Sequence, residues 1–206
     1  MPTAARKPLL REVATERLRD AIVAGELAPG EVVKDAQLAQ RLGMTVAPVR
    51  DALARLADEG LVESKPQSHT RVTPLVLRTV RDALAVLQVV HELVAREAAD
   101  LVTEADLTAM RTANARFRAA AAADDVEAAV AADDELHGVL VDRCGNRAAR
   151  ATIARWTPLV RRIERRRFTP THGAESADRH DELIAACAAH DPDAAAAITR
   201  TIWASI

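Results

Sequence analysis

DAQLAQRLGMTVAPVRDALARLADEG, residues 35 to 60, is the stretch whose reading decides the fold. It divides into two short helical segments at Gly43. In the first, Leu38, Ala39 and Leu42 repeat at helical spacing, and Asp35 stands ahead of them as a capping carboxylate. Gly43 stops the segment because glycine accepts a left-handed backbone without a Cβ clash. Thr45 then caps the second segment, and Pro48 falls in its first turn, where a missing N–H costs nothing. Val49, Ala52, Leu53 and Leu56 make its apolar stripe and Gly60 ends it. That spacing leaves Thr45, Val46 and Arg50 facing outward. Two such helices around a tight turn form a helix-turn-helix, which reads the DNA major groove with the N-terminal half of its second helix.

Outward from this core, Leu10, Ala14, Leu18 and Ile22 recur every four residues and predict a helix ending near Gly25. Residues 1 to 8 read as loose. Pro29-Gly30 is a turn, and Val32-Val33 a short strand. Beyond Gly60, Leu61-Val62-Glu63-Ser64 and Thr70-Arg71-Val72-Thr73 are β-prone runs joined by a polar loop from Lys65 to His69, which predicts a hairpin. Pro74 breaks the chain, and PLVLR reads as a linker. The expected division is therefore a DNA-binding unit over 1–76 and a second unit over 77–206.

The quoted motif resembles the helix-turn-helix of the GntR family of bacterial transcription regulators. The matching signs are Leu38-Ala39, Leu42-Gly43, Pro48-Val49-Arg50, Ala52-Leu53, and Leu56 followed by Glu59-Gly60-Leu61-Val62. The resemblance implies a winged helix whose wing is the hairpin, with Lys65, His69 and Arg71 toward phosphates or the minor groove; for His69 a solvated turn stands as the equal alternative. Two departures stand out. The family usually has an arginine at the position of Val46, and a glycine at that of His69. An arginine can pair bidentately with guanine, whereas a valine touches a thymine methyl or nothing, so operator preference is expected to differ.

Composition bounds the rest. The chain has 206 residues and a formal charge of −2. Residues 1–76 hold eleven Lys/Arg against ten Asp/Glu, and the remainder 17 against 20. DNA binding must rest on local placement rather than bulk charge. This weak charge also disfavours a structural nucleoid-type binder. Only Phe117, Trp156, Phe168 and Trp203 are aromatic, so a core of Ala, Leu and Val predicts closely packed helices. Cys144 and Cys187 stand alone and read as small residues in a reducing cytosol. No apolar run approaches ~18 residues, and the first residues lack an apolar signal region, which gives the expectation of a soluble cytoplasmic protein with no membrane span.

From residue 77 on, everything reads as helix: 80–101, a helix opened by Thr103 with Asp106 as a capping box, one from Asp125 to Cys144, then a sharp turn at Gly145-Asn146, a helix to about Arg167 bent by Pro158, one from Ser176 to Ala189, and a last one opened by Asp191-Pro192. FTPTHGAES, residues 168–176, reads as a loop. The fold class is mainly α, a winged helix-turn-helix followed by an all-helical bundle of six to seven helices. This half resembles the FCD domain of FadR-like GntR regulators, through Asp133-x-x-x-His137, Cys144-Gly145-Asn146, and Arg179-His180 followed by Ile184 and Asp191. An Arg and a Glu common in the first helix of such domains stand here as Leu87 and His91.

The resemblance implies a homodimer, a small organic acid as effector and, in many such domains, a divalent metal. Asp133 and His137 lie four apart on one helix face, and with His180 they offer ligands for Zn²⁺, Ni²⁺ or Mn²⁺. The family's fourth ligand falls at Ile202. Three readings stay open: metal on three ligands with open positions, a substitute ligand such as His91 or His172, or a site without metal whose polar groups hold the effector directly. Among Arg161, Arg162, Arg165, Arg166 and Arg167, an inward arginine, with Arg161 and Arg165 as candidates, could hold an effector carboxylate; the alternative is a solvated basic helix end.

Function follows as an expectation: a regulator that binds a near-palindromic operator on double-stranded DNA as a dimer and answers to a small carboxylate, and not an enzyme. The alternative from another class is a metal-dependent hydrolase, with Asp134 or Glu135 as base beside the metal ligands. It leaves the winged helix without a role.

Overall fold

The computed structural model describes residues 9–65 and 69–204, apart from the side chains of Lys65 and Arg167. The tip of the expected wing loop, 66–68, and the first eight residues lie outside that description. Contacts divide the chain into two compact units, Met1–Val76 and Leu77–Ile206.

The first unit runs α1 (Leu10–Ala24), β1 (Val32–Val33), α2 (Asp35–Leu42), α3 (Val46–Asp58), β2 (Val62–Lys65) and β3 (His69–Val72). Its core is assembled from the apolar spacings of these short segments: Ala14, Leu18 and Ile22 of α1 pack with Leu38 and Ala39 of α2 and with Val49, Leu53 and Leu56 of α3. Leu10, the first residue of the α1 repeat, is exposed instead. The helix begins there, so it has no preceding turn to fold it onto the core. β3 lies between β1 and β2, antiparallel to both, with Val62 opposite Val72 and Lys65 opposite His69. His69 therefore opens a strand rather than belonging to the loop. Gly43 closes α2 at φ 65°, the left-handed value that glycine tolerates. A bidentate pair from Arg19 to Glu59, at 2.9 and 2.7 Å, ties α1 to the end of α3 and steadies that helix.

Two capping expectations need correction. Asp35 is the first helical residue of α2, with Lys34 at the cap, and its carboxylate accepts from Arg50 Nε at 3.0 Å. Thr45 does occupy the cap position of α3, yet its side chain accepts no backbone hydrogen bond.

The second unit holds α4 (Leu77–Ala98), α5 (Glu104–Ala122), α6 (Val126–Cys144), α7 (Arg147–Arg167), α8 (Pro170–Ala188) and α9 (Pro192–Ala204). Here the capping signs hold: Thr103 and Asp106 form a reciprocal capping box, and Asp125 accepts from Ala128 N. Asn146, expected only as part of a turn, also caps α7 by accepting from two N–H groups at its start. The main core gathers Leu87, Met110, Leu136, Leu140, Leu183 and Trp203 among many alanines. A smaller cluster packs Phe117 against Ala120, Ala129, Ala132 and Ala177, with Phe168 at its edge.

The expected loop at 168–176 is mostly helix. Thr169 caps α8 by accepting from His172 N, and Pro170 takes the first helical position, where its fixed φ suits the turn. Gly173 shows why a glycine is tolerated one turn later. A Cβ there would lie 2.6 Å from the Cβ of Ala121, so the seam between α5 and α8 has no room for one. Among the described residues no helix is long and apolar enough to cross a membrane.

Candidate metal centre and nucleic-acid interface

In the helical unit, α6 contributes Asp133 and His137 one turn apart, and α8 contributes His180. One ligand atom from each lies within 4.8 Å of the other two. Asp133 Oδ1 is 3.7 Å from His137 Nε2 and 3.3 Å from His180 Nε2. Two ligands on a tetrahedral ion at bonds of about 2.0–2.2 Å sit roughly 3.3–3.6 Å apart; the His180 separation falls in that range and the His137 separation lies just beyond it.

The tautomer of His180 follows from its neighbour. Asn114 donates its amide to Ala177 O at 2.9 Å and to Asp181 Oδ1 at 2.7 Å, which leaves Asn114 Oδ1 as an acceptor. His180 Nδ1, 3.1 Å away, must then donate to it. The tautomer with Nδ1–H therefore leaves a lone pair on Nε2, which is buried and faces Asp133 Oδ1 at 3.3 Å. A histidine fixed through its other nitrogen is the arrangement that holds a metal ligand in place.

Charge around this triad is dense. Arg161 donates from Nη2 to Asp133 Oδ2, to Asp134 Oδ1 at 2.6 Å, and from Nη1 to Glu164 Oε2 at 2.7 Å. Burial alone would push the Asp133 carboxyl up, but the Arg161 guanidinium, aided by His137, holds it well below the usual range. Burial pushes the Glu164 carboxyl up against the opposing pull of Arg161. His137 is lowered to about 4 by burial, and His91 to about 3, by burial and then by the charge of His137. Both are thus neutral at neutral pH, the form that ligates metals.

A cavity of about 240 Å³ opens onto the triad, with Phe117, Phe168, His172, Arg179 and Trp203 among its walls. The position expected for a fourth ligand is apolar: Ile202 is buried and borders the cavity. The substitute-ligand reading loses ground. His91 stacks on Trp203 with centroids 4.3 Å apart and meets His137 edge-on at 5.8 Å, but it does not join the triad's ligand atoms. His172 lies in the first turn of α8 on the cavity wall, not in a loop, and is likewise outside the triad.

The arginine expectations also change. Arg161 does face inward, but its two terminal nitrogens are taken by three carboxylates and only Nε has no partner among the described residues. An effector carboxylate would meet negative charge there. Arg165 pairs with Glu127. Arg162 is buried and Arg166 exposed, so the solvated basic end covers only part of the run. Arg179 is the residue that sequence reasoning missed as a site. It is half-buried on the cavity wall and has no ion pair or hydrogen bond among the described residues. Its position beside His180 was the only signal.

In the first unit, Thr45 and Arg50 are exposed at the start of α3. Val46 is not: it is half-buried and packs on the core, because it sits three and seven residues before Val49 and Leu53 on the same stripe. On the hairpin, Arg71 pairs with Glu63 across the strands and His69 is half-buried. The side chain of Lys65 lies outside the described part.

A helix-turn-helix beside a small three-stranded sheet, followed by a separate helical unit, is the layout of a DNA-binding regulator. The comparisons agree. The model of the bacterial regulatory proteins of the gntR family matches residues 10–72, and that of the FCD domain matches 82–205. The chain belongs to the GntR family of bacterial regulators, with an FCD domain, and the family is one of regulators and not enzymes. It is 27% identical over 178 residues to the HTH-type transcriptional repressor RspR of Escherichia coli K12, covering 86% of this chain and 78% of that protein. It is 24% identical to the uncharacterized HTH-type regulator YdhC of Bacillus subtilis, over 82% of this chain and 75% of that one. In fold it is similar to E. coli McbR/YncC, with a TM-score of 0.84 at 19% identity over 97% of this chain and 95% of the other.

Proposed function

We propose that the protein is a dimeric, ligand-responsive transcription regulator. Its winged helix binds a near-palindromic operator, through Thr45 and Arg50, with Val46 at the margin and Lys65, His69 and Arg71 toward the DNA backbone. Its helical unit binds a small carboxylate, assisted by a divalent ion on Asp133, His137 and His180. Such a role lies in the cytoplasm. The observation that carries the ligand half is the hydrogen bond between His180 and Asn114. It turns the buried Nε2 toward a carboxylate oxygen 3.3 Å away. Two acceptors at that separation repel unless a cation or a proton lies between them. A bound Zn²⁺, Ni²⁺ or Mn²⁺ supplies Lewis acidity that attracts and orients a carboxylate.

Support for a dimer comes from α4. Val86, Val89 and Leu93 are 43%, 66% and 40% exposed and lie three and four residues apart, an apolar stripe suited to a second copy. A dimer places two recognition helices on two half-sites. The ligand alters operator affinity by binding one arrangement of the dimer more tightly than another.

The test is native mass spectrometry with elemental analysis on protein purified without a nickel column, beside Asp133→Ala and His180→Ala. One ion per chain, lost in both variants, is expected. A metal-free protein after incubation with Zn²⁺, Ni²⁺ and Mn²⁺ would sink the metal-assisted part and leave direct ligand binding. Gel shifts with selected operator sequences test the DNA half, and binding without sequence preference would count against it.

A further inference from the structure

The cavity wall carries more chemistry than a chelating triad uses. The chain has four residues of the Phe, Trp and Tyr type, and three of them, Phe117, Phe168 and Trp203, border this one cavity. Elsewhere the helical unit fills its seams mostly with alanine, leucine and valine. Flat side chains around a space favour a flat ring, which they meet in offset or edge-on contact. Trp203 also keeps a buried indole N–H with no hydrogen-bond partner among the described residues.

The same wall holds a cation whose charge is not matched. Arg161 is committed to Asp133, Asp134 and Glu164. Arg179 is committed to nothing among the described residues, is half-buried, and presents a planar fork that fits a carboxylate. Glu175, one turn earlier on α8 and also on the wall, is exposed, so solvent screens its opposition to an anion.

Size narrows the class. A cavity of about 150 Å³ holds a benzene. The 240 Å³ here leaves space for an acid group and one or two substituents. It stays below the ~300 Å³ at which pockets for drug-sized molecules begin.

We infer that this cavity takes an aromatic monocarboxylate, with its ring among Phe117, Phe168 and Trp203 and its carboxylate on Arg179. The inference rests on the ligand-responsive reading above and narrows its ligand from small carboxylates in general to ring-bearing ones. A divalent ion at the triad, where present, lies on the same cavity and shares the carboxylate with Arg179.

The experiment is titration calorimetry of the full-length protein with benzoate, phenylacetate, hexanoate, citrate and neutral benzamide. Trp203 fluorescence, isolated by Trp156→Phe, reports occupation of the cavity. Benzoate or phenylacetate is expected to quench Trp203 and to bind at least tenfold more tightly than hexanoate or citrate. Benzoate is expected to exceed benzamide by a similar factor. Arg179→Gln should erase that preference for the charged ring with an unchanged melting temperature, since no partner is left behind, and Arg179→Lys should restore part of it. Tighter binding of citrate or hexanoate, no binding of either ring acid, or a preference for benzoate over benzamide that survives Arg179→Gln overturns the inference. Operator gel shifts on the same preparation judge the regulator reading separately: an operator that responds to citrate and not to benzoate removes the aromatic class and keeps the regulator.

Discussion

Arg50 on α3 is 72% exposed and pairs with a single carboxylate, Asp35, at 3.0 Å; Arg161 on α7 is 10% exposed and serves three carboxylates. The contrast separates a residue available to a partner from one already used by the fold. An exposed pair contributes about 0–1 kcal/mol, so Arg50 can leave Asp35 for a base or a phosphate at little cost. A buried cation such as Arg161 cannot leave, because Asp133 and Glu164 would stay largely buried without their counter-charge. The winged-helix unit keeps its chemistry on the surface and its stability in the apolar stripes beneath. The helical unit mixes the two, and its candidate site is part of its core.

The largest effect that tests this contrast is Arg161→Ala. Removing one partner of a buried ionic cluster costs about 3–5 kcal/mol. We expect a loss of that size in urea melts monitored by far-UV circular dichroism. A loss below ~1 kcal/mol would show that the cluster is hydrated and that the two arginines are alike.

Acidification should act on the helical unit next. His91 and His137 are lowered to about 3 and about 4, chiefly by burial, from an ordinary 6.5. Between those values and pH 6.5 the unfolded chain binds protons that the folded one refuses. Stability is therefore full above pH 6.5 and falls as pH drops toward 4, by up to ~1.4 kcal/mol per pH unit for each histidine. Melts of metal-stripped protein from pH 7.5 to 4.5 measure the slope. His91→Phe, which keeps the stack on Trp203, should make it shallower. A slope equal in variant and parent would mean that His91 does not contribute.

On the surface, the readouts change from stability to association. Val89→Glu puts a charge into the exposed stripe of α4 and is expected to convert a dimer to a monomer in light scattering, with little change in melting temperature. Arg50→Ala should lower operator affinity by about 1–3 kcal/mol if it pairs with a base, roughly 5- to 150-fold. Its effect on stability should stay within about 0.5 kcal/mol. An Arg50→Ala protein that binds operator like its parent would remove α3 from the interface.

How much of this was legible in the sequence follows the range of the interactions. The helix-turn-helix is built from neighbours three and four residues apart, so Leu38, Val49, Leu53 and Leu56 declare themselves, and Gly43 marks the turn. The misses there are of the same local kind: Val46 falls on the buried stripe, and Asp35 prefers Arg50 to a cap. Asp133, His137 and His180 were readable as a set through resemblance, and the structure brings them together. What the sequence could not show is which arginine was taken. The carboxylates Asp133 and Asp134 that occupy Arg161 come from another helix, and the lack of any such partner at Arg179 among the described residues is equally a product of tertiary packing. The start of α8 was hidden by composition. Pro, Gly and Ser suggested a loop, while Thr169-Pro170 was a helix start and Gly173 a place where two helices touch.

The smallest effect compares two threonines at the same formal position. Thr103 caps α5 by accepting from Asp106 N, while Asp106 accepts in return from Thr103 N at 2.8 Å. Thr45 occupies the cap of α3 with its side chain making no such bond. Replacing a working cap by alanine costs ~1 kcal/mol. Thr103→Ala should therefore lose about that much, and Thr45→Ala less than ~0.5 kcal/mol, in matched urea melts. The hydroxyl of Thr45, exposed and unused by its own helix, would then be read only in operator affinity, where one phosphate hydrogen bond contributes about 0.5–1.5 kcal/mol. If Thr45→Ala instead destabilises the unit as much as Thr103→Ala while leaving operator affinity unchanged, the hydroxyl belongs to the fold, and the division between a surface chemistry and a buried one ends one residue short of Arg50's helix.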